Sequence, residues 1–300
     1  MVSAKNNLVV GSVFLNLRLA FAYLLLPVYL FALVISPNLN ESKLLWSFVI
    51  IHLLLYPAGN GYLSYFNNLQ KVSRVTTKSP SPVNKLLFLT ALLLEAAAIL
   101  LGWHFINTGF AAMLFLYGLI FKMYYHPAVR LKKYPIADWV IVALFQGAFA
   151  FLICYVGINN FTGANLLRVR VLLPALLSTL MLLAFYPPTQ VWQNEENSSW
   201  GVLRQKSGLR STVVPAFILL ALVAVAFVLY FKMYFSFKHA LVYMLTLIPV
   251  ALFLSWSYKI YSNPEEVNNK RITWLSGLTA TCLNAFFTWL FLDTSHLLQL

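Results

Sequence analysis

Long apolar segments, separated by short polar ones, run along the whole 300-residue chain. A run of about 18 or more apolar residues can cross the roughly 30 Å hydrocarbon core of a bilayer as a helix. The pattern predicts an all-α, polytopic membrane protein with nine transmembrane helices around a central cavity. The predicted spans are residues 12–35, 44–66, 86–106, 109–125, 137–158, 168–189, 213–233, 238–258 and 272–292.

The composition agrees with a bilayer environment. Apolar residues make up 61% of the chain and charged residues 10%, whereas soluble domains have about 25% charged residues. The composition therefore excludes a water-soluble fold. The first apolar run is too long for the apolar region of a cleavable signal peptide. Cys154 and Cys282 lie inside apolar runs, and we predict that both are packing residues.

The net charge of +13 is distributed unevenly between the predicted loops. Sixteen of the 21 Lys and Arg residues lie on the face that holds the N-terminus and the loops after the even-numbered spans. The positive-inside rule places that face in the cytoplasm and the C-terminus outside. We therefore expect a multi-pass protein of the cell inner membrane, with no nucleic-acid partner. A count of eight or ten spans would remove this charge asymmetry.

Two related polar motifs end the second and sixth predicted spans. The first motif covers residues 56–70 and the second covers residues 186–197, 130 residues later. In the first, Pro, Gly and Asn are expected to break the helix. The match predicts a pseudo-repeat within one domain, residues 1–300: spans 1–4, spans 5–8 and a ninth span, with one shared site. The matching residues are Tyr56-Pro57-x-x-Asn60-x-Tyr62 and Tyr186-Pro187-x-x-Gln190-x-Trp192.

Amides dominate the polar side chains of both motifs. An amide-lined pocket inside a helical bundle could bind a polar headgroup, but amides also join transmembrane helices. The first motif holds no carboxylate, whereas the second ends in Glu195-Glu196. The candidate cavity residues are Asn60, Ser64, Asn67 and Asn68 in the first motif and Gln190, Gln193 and Asn194 in the second.

Four other polar features need an explanation. Glu95, in the middle of span 3, is either functional or paired with a neighbouring helix. Asp138 begins span 5, where the helix dipole favours a carboxylate. Gln146-Gly147 indicates a close helix contact. The loop after span 4 is basic enough either to set topology or to bind phosphate; its cations are Arg130, Lys132 and Lys133.

Together, the nine spans, the two motifs and the basic Tyr-His-Pro…Arg-x-Lys-Lys loop resemble the UbiA-type intramembrane prenyltransferase superfamily. The sequence is most similar to a bacterial branch with Tyr-Pro-Ala-x-Asn-Gly-Tyr in the first motif. The resemblance covers nearly the whole chain. It implies transfer of a polyprenyl group from its diphosphate to an aromatic or similar lipophilic acceptor. It also implies Mg²⁺, held by motif carboxylates, as the cofactor that binds the diphosphate.

The sequence departs from this family pattern in the first motif. The expected aspartates fall on Ser64 and Asn68, or on Asn67 and Leu69 in the alternative register. The resemblance leaves Glu195 and Glu196 as metal ligands and assigns no catalytic residue. Alternatives are an inactive member that binds an isoprenoid lipid or a protein partner, and a transporter. The implied diphosphate-binding cations are Lys71, Arg74, Arg130, Lys132 and Lys133.

Overall fold

The computed structural model describes residues 16–75, 82–126, 135–160, 166–191, 199–252, 255 and 269–295. In the first half of the chain, the helices are α1 (Leu19–Val34), α2 (Glu41–Phe48), α3 (Tyr56–Val75), α4 (Pro82–Phe105) and α5 (Thr108–Tyr125). In the second half they are α6 (Pro135–Ala143), α7 (Ala150–Asn159), α8 (Val169–Val191), α9 (Ser199–Tyr234), α10 (Phe237–Thr246) and α11 (Asn269–Thr294). Two π-helical segments, Val49–Leu55 and Leu144–Phe149, join α2 to α3 and α6 to α7.

The prediction of nine apolar helices is confirmed in the described part of the chain. Six helices are long and apolar enough to cross a membrane. Three shorter apolar helices, Phe21–Val34, Ile218–Tyr234 and Phe237–Leu252, account for the other predicted spans. The protein is therefore a multi-pass, all-helical membrane protein. Both cysteines are free, as expected for packing residues.

Asparagine side chains mark the helix starts that separate neighbouring spans. Asn107 Oδ1 accepts a hydrogen bond from the Phe110 N–H at 2.7 Å and caps α5. This cap confirms the predicted turn between spans 3 and 4. Asn40 caps α2 in the same way, with 3.1 Å to the Lys43 N–H. The Lys43 ammonium then donates to the Phe105 carbonyl, so that it neutralises the negative end of α4.

The described helices form two compact units. The first takes in α2–α5, with their π segment, and the part of α7 from Ile153. The second takes in α1 from Leu24, α6, the π segment Leu144–Phe149, and α8–α11. The single domain, its pseudo-repeat and its central cavity stay predictions.

An aromatic cluster forms the core of the second unit. Phe31 of α1 stacks on Phe287 of α11, with 5.0 Å between ring centroids. Phe31 also meets Phe227 of α9 at 5.6 Å, and Phe231 meets Tyr243 of α10 at 5.1 Å. All five rings are at most 4% exposed. Aromatic packing therefore joins the four helices.

The predicted close contact at Gly147 is confirmed. A Cβ atom at Gly147 would lie 2.5 Å from the Thr179 Cα atom of α8. Gly147 belongs to a π segment, where hydrogen bonding departs from the α pattern. The Ala148 N–H instead donates to the Thr179 hydroxyl at 3.0 Å. The glycine thus lets α8 supply a hydrogen-bond partner to the backbone of its neighbour.

We expect Gly147→Ala to lower the free energy of unfolding by about 1–3 kcal/mol, because the added methyl group forces α8 away. Unfolding of the purified protein by sodium dodecyl sulfate in mixed micelles measures the change. Gly277→Ala is the matched control, since nothing lies within 4 Å of its added Cβ. That control should keep or slightly raise the stability. Equal stability of the Gly147 variant and the wild type would contradict the contact.

Candidate functional site

The first motif lies inside a helix rather than at the end of one. We expected Pro57 and the following glycines to break the helix, and this prediction is wrong: α3 continues from Tyr56 to Val75. The Tyr56 N–H bonds to the Ile51 carbonyl, five residues back, at the end of the π segment. Pro57 comes directly after this bond, at the point where the spacing between bonded N–H and carbonyl groups changes from five residues to four. A proline, which has no N–H, is tolerated at such a junction.

On α3 and α5, three buried polar donor atoms have no hydrogen-bond partner among the residues that the structure describes. They are Tyr56 Oη and Asn60 Nδ2 on α3, and Tyr124 Oη on α5. The three residues are only 4–5% exposed. Each atom carries a hydrogen that it can donate. We call these residues the donor seam.

Ring contacts between α3 and α5 show how the donor seam is arranged. Tyr56 meets Tyr117 at 6.2 Å between ring centroids, and a Cβ at Gly59 would lie 3.2 Å from the Phe121 ring. The two helices therefore run in parallel, side by side. Asn60 is one turn beyond Tyr56, and Tyr124 is one turn beyond Phe121. The donors accordingly follow the α3–α5 interface over about two turns.

The other predicted first-motif residues divide into two groups. The Ser64 hydroxyl donates to the Asn16 carbonyl at 3.0 Å, so its hydrogen is already used within the protein. The structure places Asn67, Asn68, Lys71 and Arg74 in the last turns of α3 without describing their side chains. Gln190 lies in α8 in the same way. Outside the described residues are Arg130, Lys132, Lys133, Gln193, Asn194, Glu195 and Glu196.

Glu95 is paired with neighbouring helices. Its carboxylate accepts a hydrogen bond from Tyr62 Oη at 2.6 Å, and Lys122 Nζ lies 2.9 Å from both carboxylate oxygens. The ammonium also lies 5.4 Å from the centroid of the Tyr62 ring. Gly118 is required beside them, because a Cβ there would overlap the carboxylate. This triad joins α3, α4 and α5 in the unit that contains the donor seam.

Asp138 is fully buried and also paired. The Tyr186 hydroxyl lies 3.1 and 3.2 Å from its two carboxylate oxygens. Next to it, Trp139 Nε1 donates to the Leu183 carbonyl at 2.6 Å. Asp138 thus joins α6 to α8 as well as standing in the first turn of its helix. Tyr186 has a carboxylate partner, whereas its sequence counterpart Tyr56 has an unpaired hydroxyl.

The described residues of the first motif do not fit a Mg²⁺ site. Mg²⁺ prefers carboxylate oxygens. Among the predicted first-motif residues whose side chains the structure describes, Asn60 offers an amide and Ser64 a hydroxyl that is already bonded. Across the described part of the chain, no group of three or more His, Cys, Asp or Glu residues could hold a metal. The buried carboxylates Glu95 and Asp138 are committed to helix pairing.

Sequence reasoning missed the tyrosine hydroxyls of the donor seam and the triad. Tyr56 and Asn60 are four residues apart, which places them on one helix face, so their proximity was available from the sequence. The pairing of Tyr62, Glu95 and Lys122 could not be predicted from the sequence, because each residue comes from a different helix. From the sequence, Lys122 is only one of the sixteen Lys and Arg residues on the predicted cytoplasmic face.

The fold matches solved structures of a UbiA homologue from Archaeoglobus fulgidus. No protein-family model and no curated protein matches the sequence. The homologue bound to GPP and Mg²⁺ has a TM-score of 0.61 at 18% identity, over 92% of this chain and 98% of that chain. The form bound to DMAPP and Mg²⁺ has a TM-score of 0.59 at 18% identity, over 92% and 97%. The form bound to Cd²⁺ has 0.58 at 17%, over 91% and 98%. This chain has the fold of the UbiA homologues.

Proposed function

We propose that this protein is a UbiA-type membrane prenyltransferase. In this proposal it transfers a polyprenyl group from its diphosphate to an aromatic or similar lipophilic acceptor. The fold, the two motifs and the basic loop support it. The similar structures bind GPP or DMAPP together with Mg²⁺, which favours an isoprenoid diphosphate as the donor substrate.

The donor seam is the observation that carries the proposal. Buried polar atoms without partners cost free energy, because they lose water and gain nothing in exchange. Diphosphate oxygens are acceptors only, so Tyr56 Oη, Asn60 Nδ2 and Tyr124 Oη can all donate to them. Hydrogen bonds to a charged acceptor are about twice as strong as neutral ones. We infer that these neutral donors bind the diphosphate, a task that carboxylates and their metal perform in the family pattern.

The remaining predicted ligands complete the proposed assignment. Lys71, Arg74, Arg130, Lys132 and Lys133 would balance the negative charge of the leaving diphosphate. Glu195 and Glu196 stay the proposed Mg²⁺ ligands, and a metal there would supply further charge neutralisation. The apolar helices would hold the isoprenoid tail and exclude water from the reacting carbon. The polar cavity is proposed to include Asn67, Asn68, Gln190, Gln193 and Asn194.

The membrane orientation is a proposal that rests on the charges. We propose that the protein lies in the cell inner membrane with its N-terminus and both motif loops on the cytoplasmic side. The proposed diphosphate site is then on the side that holds most of the cations. A reporter enzyme fused after the last span, active only outside the cytoplasm, tests this orientation.

A second candidate function is isoprenoid binding without transfer. The neutral first motif favours it, since Ser64 and Asn68 stand where the family pattern has aspartates and the Ser64 hydroxyl is already bonded to the Asn16 carbonyl. Purified protein incubated with labelled geranyl diphosphate and a panel of aromatic acceptors separates the two. Prenylated product supports the transferase. Saturable binding of geranyl diphosphate with no product supports the second candidate, and absence of binding contradicts both.

Tyr56→Phe and Tyr124→Phe are each expected to weaken geranyl diphosphate binding by about 10- to 100-fold. Each change removes one hydroxyl that would donate to a charged acceptor, a bond of about 1.5–3 kcal/mol. Equilibrium binding to the purified protein measures the loss. Because neither hydroxyl has a hydrogen-bond partner among the described residues, neither change should lower the free energy of unfolding.

The control for these variants is Tyr62→Phe, which removes a hydroxyl that is bonded to Glu95. It should lower stability and leave geranyl diphosphate affinity within a factor of about two. If Tyr56→Phe and Tyr124→Phe instead destabilise the protein and leave binding unchanged, the donor seam is structural and the proposed diphosphate contact is wrong.

A further inference from the structure

Asn284 is an unpaired amide at the middle of a membrane-spanning helix. It stands halfway along the apolar stretch Trp274–Thr294 of α11. Its side chain is only 7% exposed. Neither Nδ2 nor Oδ1 has a hydrogen-bond partner among the described residues. No residue in that part of the chain therefore uses the amide as a donor or as an acceptor.

Four other polar side chains of the same helix are paired. Thr279 donates to the Leu275 carbonyl and Thr281 to the Gly277 carbonyl, each at 2.8 Å. Thr294 donates to the Leu290 carbonyl at 2.7 Å, and Asp293 binds Lys238. A hydroxyl can turn back onto its own helix in this way. The Asn284 amide makes no such bond to its own helix. Local pairing within α11 therefore does not explain why an amide occupies this position.

An unpaired amide is especially unfavourable at this depth, because the hydrocarbon core contains no water to replace a missing partner. Leucine, which has nearly the same size, would fill the position without that cost. The amide accordingly lowers the stability of the described bundle unless a group that is not part of it binds the amide. The observation points to a ligand.

We propose that Asn284 binds the hydroxyl group of an uncharged lipophilic molecule. A hydroxyl donates and accepts at once, so it satisfies both Oδ1 and Nδ2. A charged group is excluded by its cost at the membrane centre. The neighbouring turn carries Phe286 and Phe287, whose rings meet Phe231 at 4.9 Å and 6.2 Å. These aromatic residues, two and three positions further along the same helix, favour a phenol-like ligand because aromatic rings pack on one another.

The choice of a phenol-like ligand rests on the proposed function, because a hydroxylated aromatic molecule is a suitable prenyl acceptor. The Asn284 contact itself needs no prenyl transfer. It is therefore tested by binding alone, without prenyl diphosphate or Mg²⁺, on the full chain in lipid nanodiscs. The probes are radiolabelled 4-octylphenol and its methyl ether, with empty nanodiscs subtracted as background.

Wild-type protein should bind 4-octylphenol about tenfold more tightly than the methyl ether, whose oxygen can accept but not donate. Asn284→Leu should bind the two probes equally and should unfold at the same or a higher temperature than the wild type. Thr279→Val is the matched control, because its hydroxyl is already bonded within α11. The control should keep the preference for the phenol.

Two results would overturn the proposal. A phenol preference that survives in Asn284→Leu, or that is absent from the wild type, shows that the amide does not bind the hydroxyl. A lower unfolding temperature for Asn284→Leu shows that the amide stabilises the protein itself. Neither result affects the proposed transfer, which is assayed separately as prenylated product. Conversely, a protein that binds the phenol through Asn284 but forms no product retains this site and loses the proposed function.

Discussion

Lys122→Met is expected to destabilise the protein by about 3–5 kcal/mol, because it leaves the Glu95 carboxylate buried without its counter-ion. The Glu95 side chain is 5% exposed and that of Lys122 is 30% exposed. Lys122 lies near both carboxylate oxygens, at 2.9 Å. Methionine keeps most of the apolar stem but removes the charge. Reversible unfolding by sodium dodecyl sulfate in mixed micelles measures the difference.

Glu95→Gln combined with Lys122→Met should recover most of the lost stability. The glutamine is neutral, so no charge is left unpaired, and its oxygen still accepts the hydrogen bond from Tyr62. Replacing both partners of a buried ion pair is often nearly neutral, whereas removing one is not. The double variant is therefore a control for loss of packing. If Lys122→Met is as stable as the wild type, or the double variant is as unstable as the single one, the ion pair does not stabilise this unit.

The fold was predictable because the bilayer permits few solutions. Apolar runs of sufficient length must be helical to satisfy their backbone hydrogen bonds. The continuous helix through Pro57 was not predictable. It depends on the π segment before it, in which the hydrogen-bond register shifts by one residue, and this shift leaves no recognisable pattern in the sequence.

The candidate site was predicted only in part. The sequence indicated that Asn60 mattered, because it recurs as Gln190 in the second motif, and it made Ser64 a candidate cavity residue. In the structure the Ser64 hydroxyl is bonded to a backbone carbonyl 48 residues away. Tyr56 and Tyr186 occupy matching motif positions, yet of the two only Tyr186 has a carboxylate partner among the described residues. Partners on other helices decide these roles, and their identity depends on packing rather than on local spacing.

Glu195→Gln with Glu196→Gln is expected to abolish prenyl transfer while leaving part of the diphosphate affinity. These are the only carboxylates in the two motifs, so the double variant removes the proposed Mg²⁺ ligands. Binding should persist because the donor seam and the loop cations do not need the metal. Product formation and geranyl diphosphate binding, each measured with and without Mg²⁺, give the two readouts. Chelation of Mg²⁺ should reproduce the effect of the variant in the wild type.

Glu265→Gln with Glu266→Gln is a matched control for this variant, since it neutralises another adjacent glutamate pair in a loop predicted on the same face. It changes the net charge by the same amount, so it separates loss of metal ligands from a general increase in positive charge. Transfer should continue in the control. Transfer that continues in Glu195→Gln with Glu196→Gln would remove the proposed metal site. Loss of both binding and transfer in that variant would show instead that the second motif, and not the donor seam, holds the diphosphate.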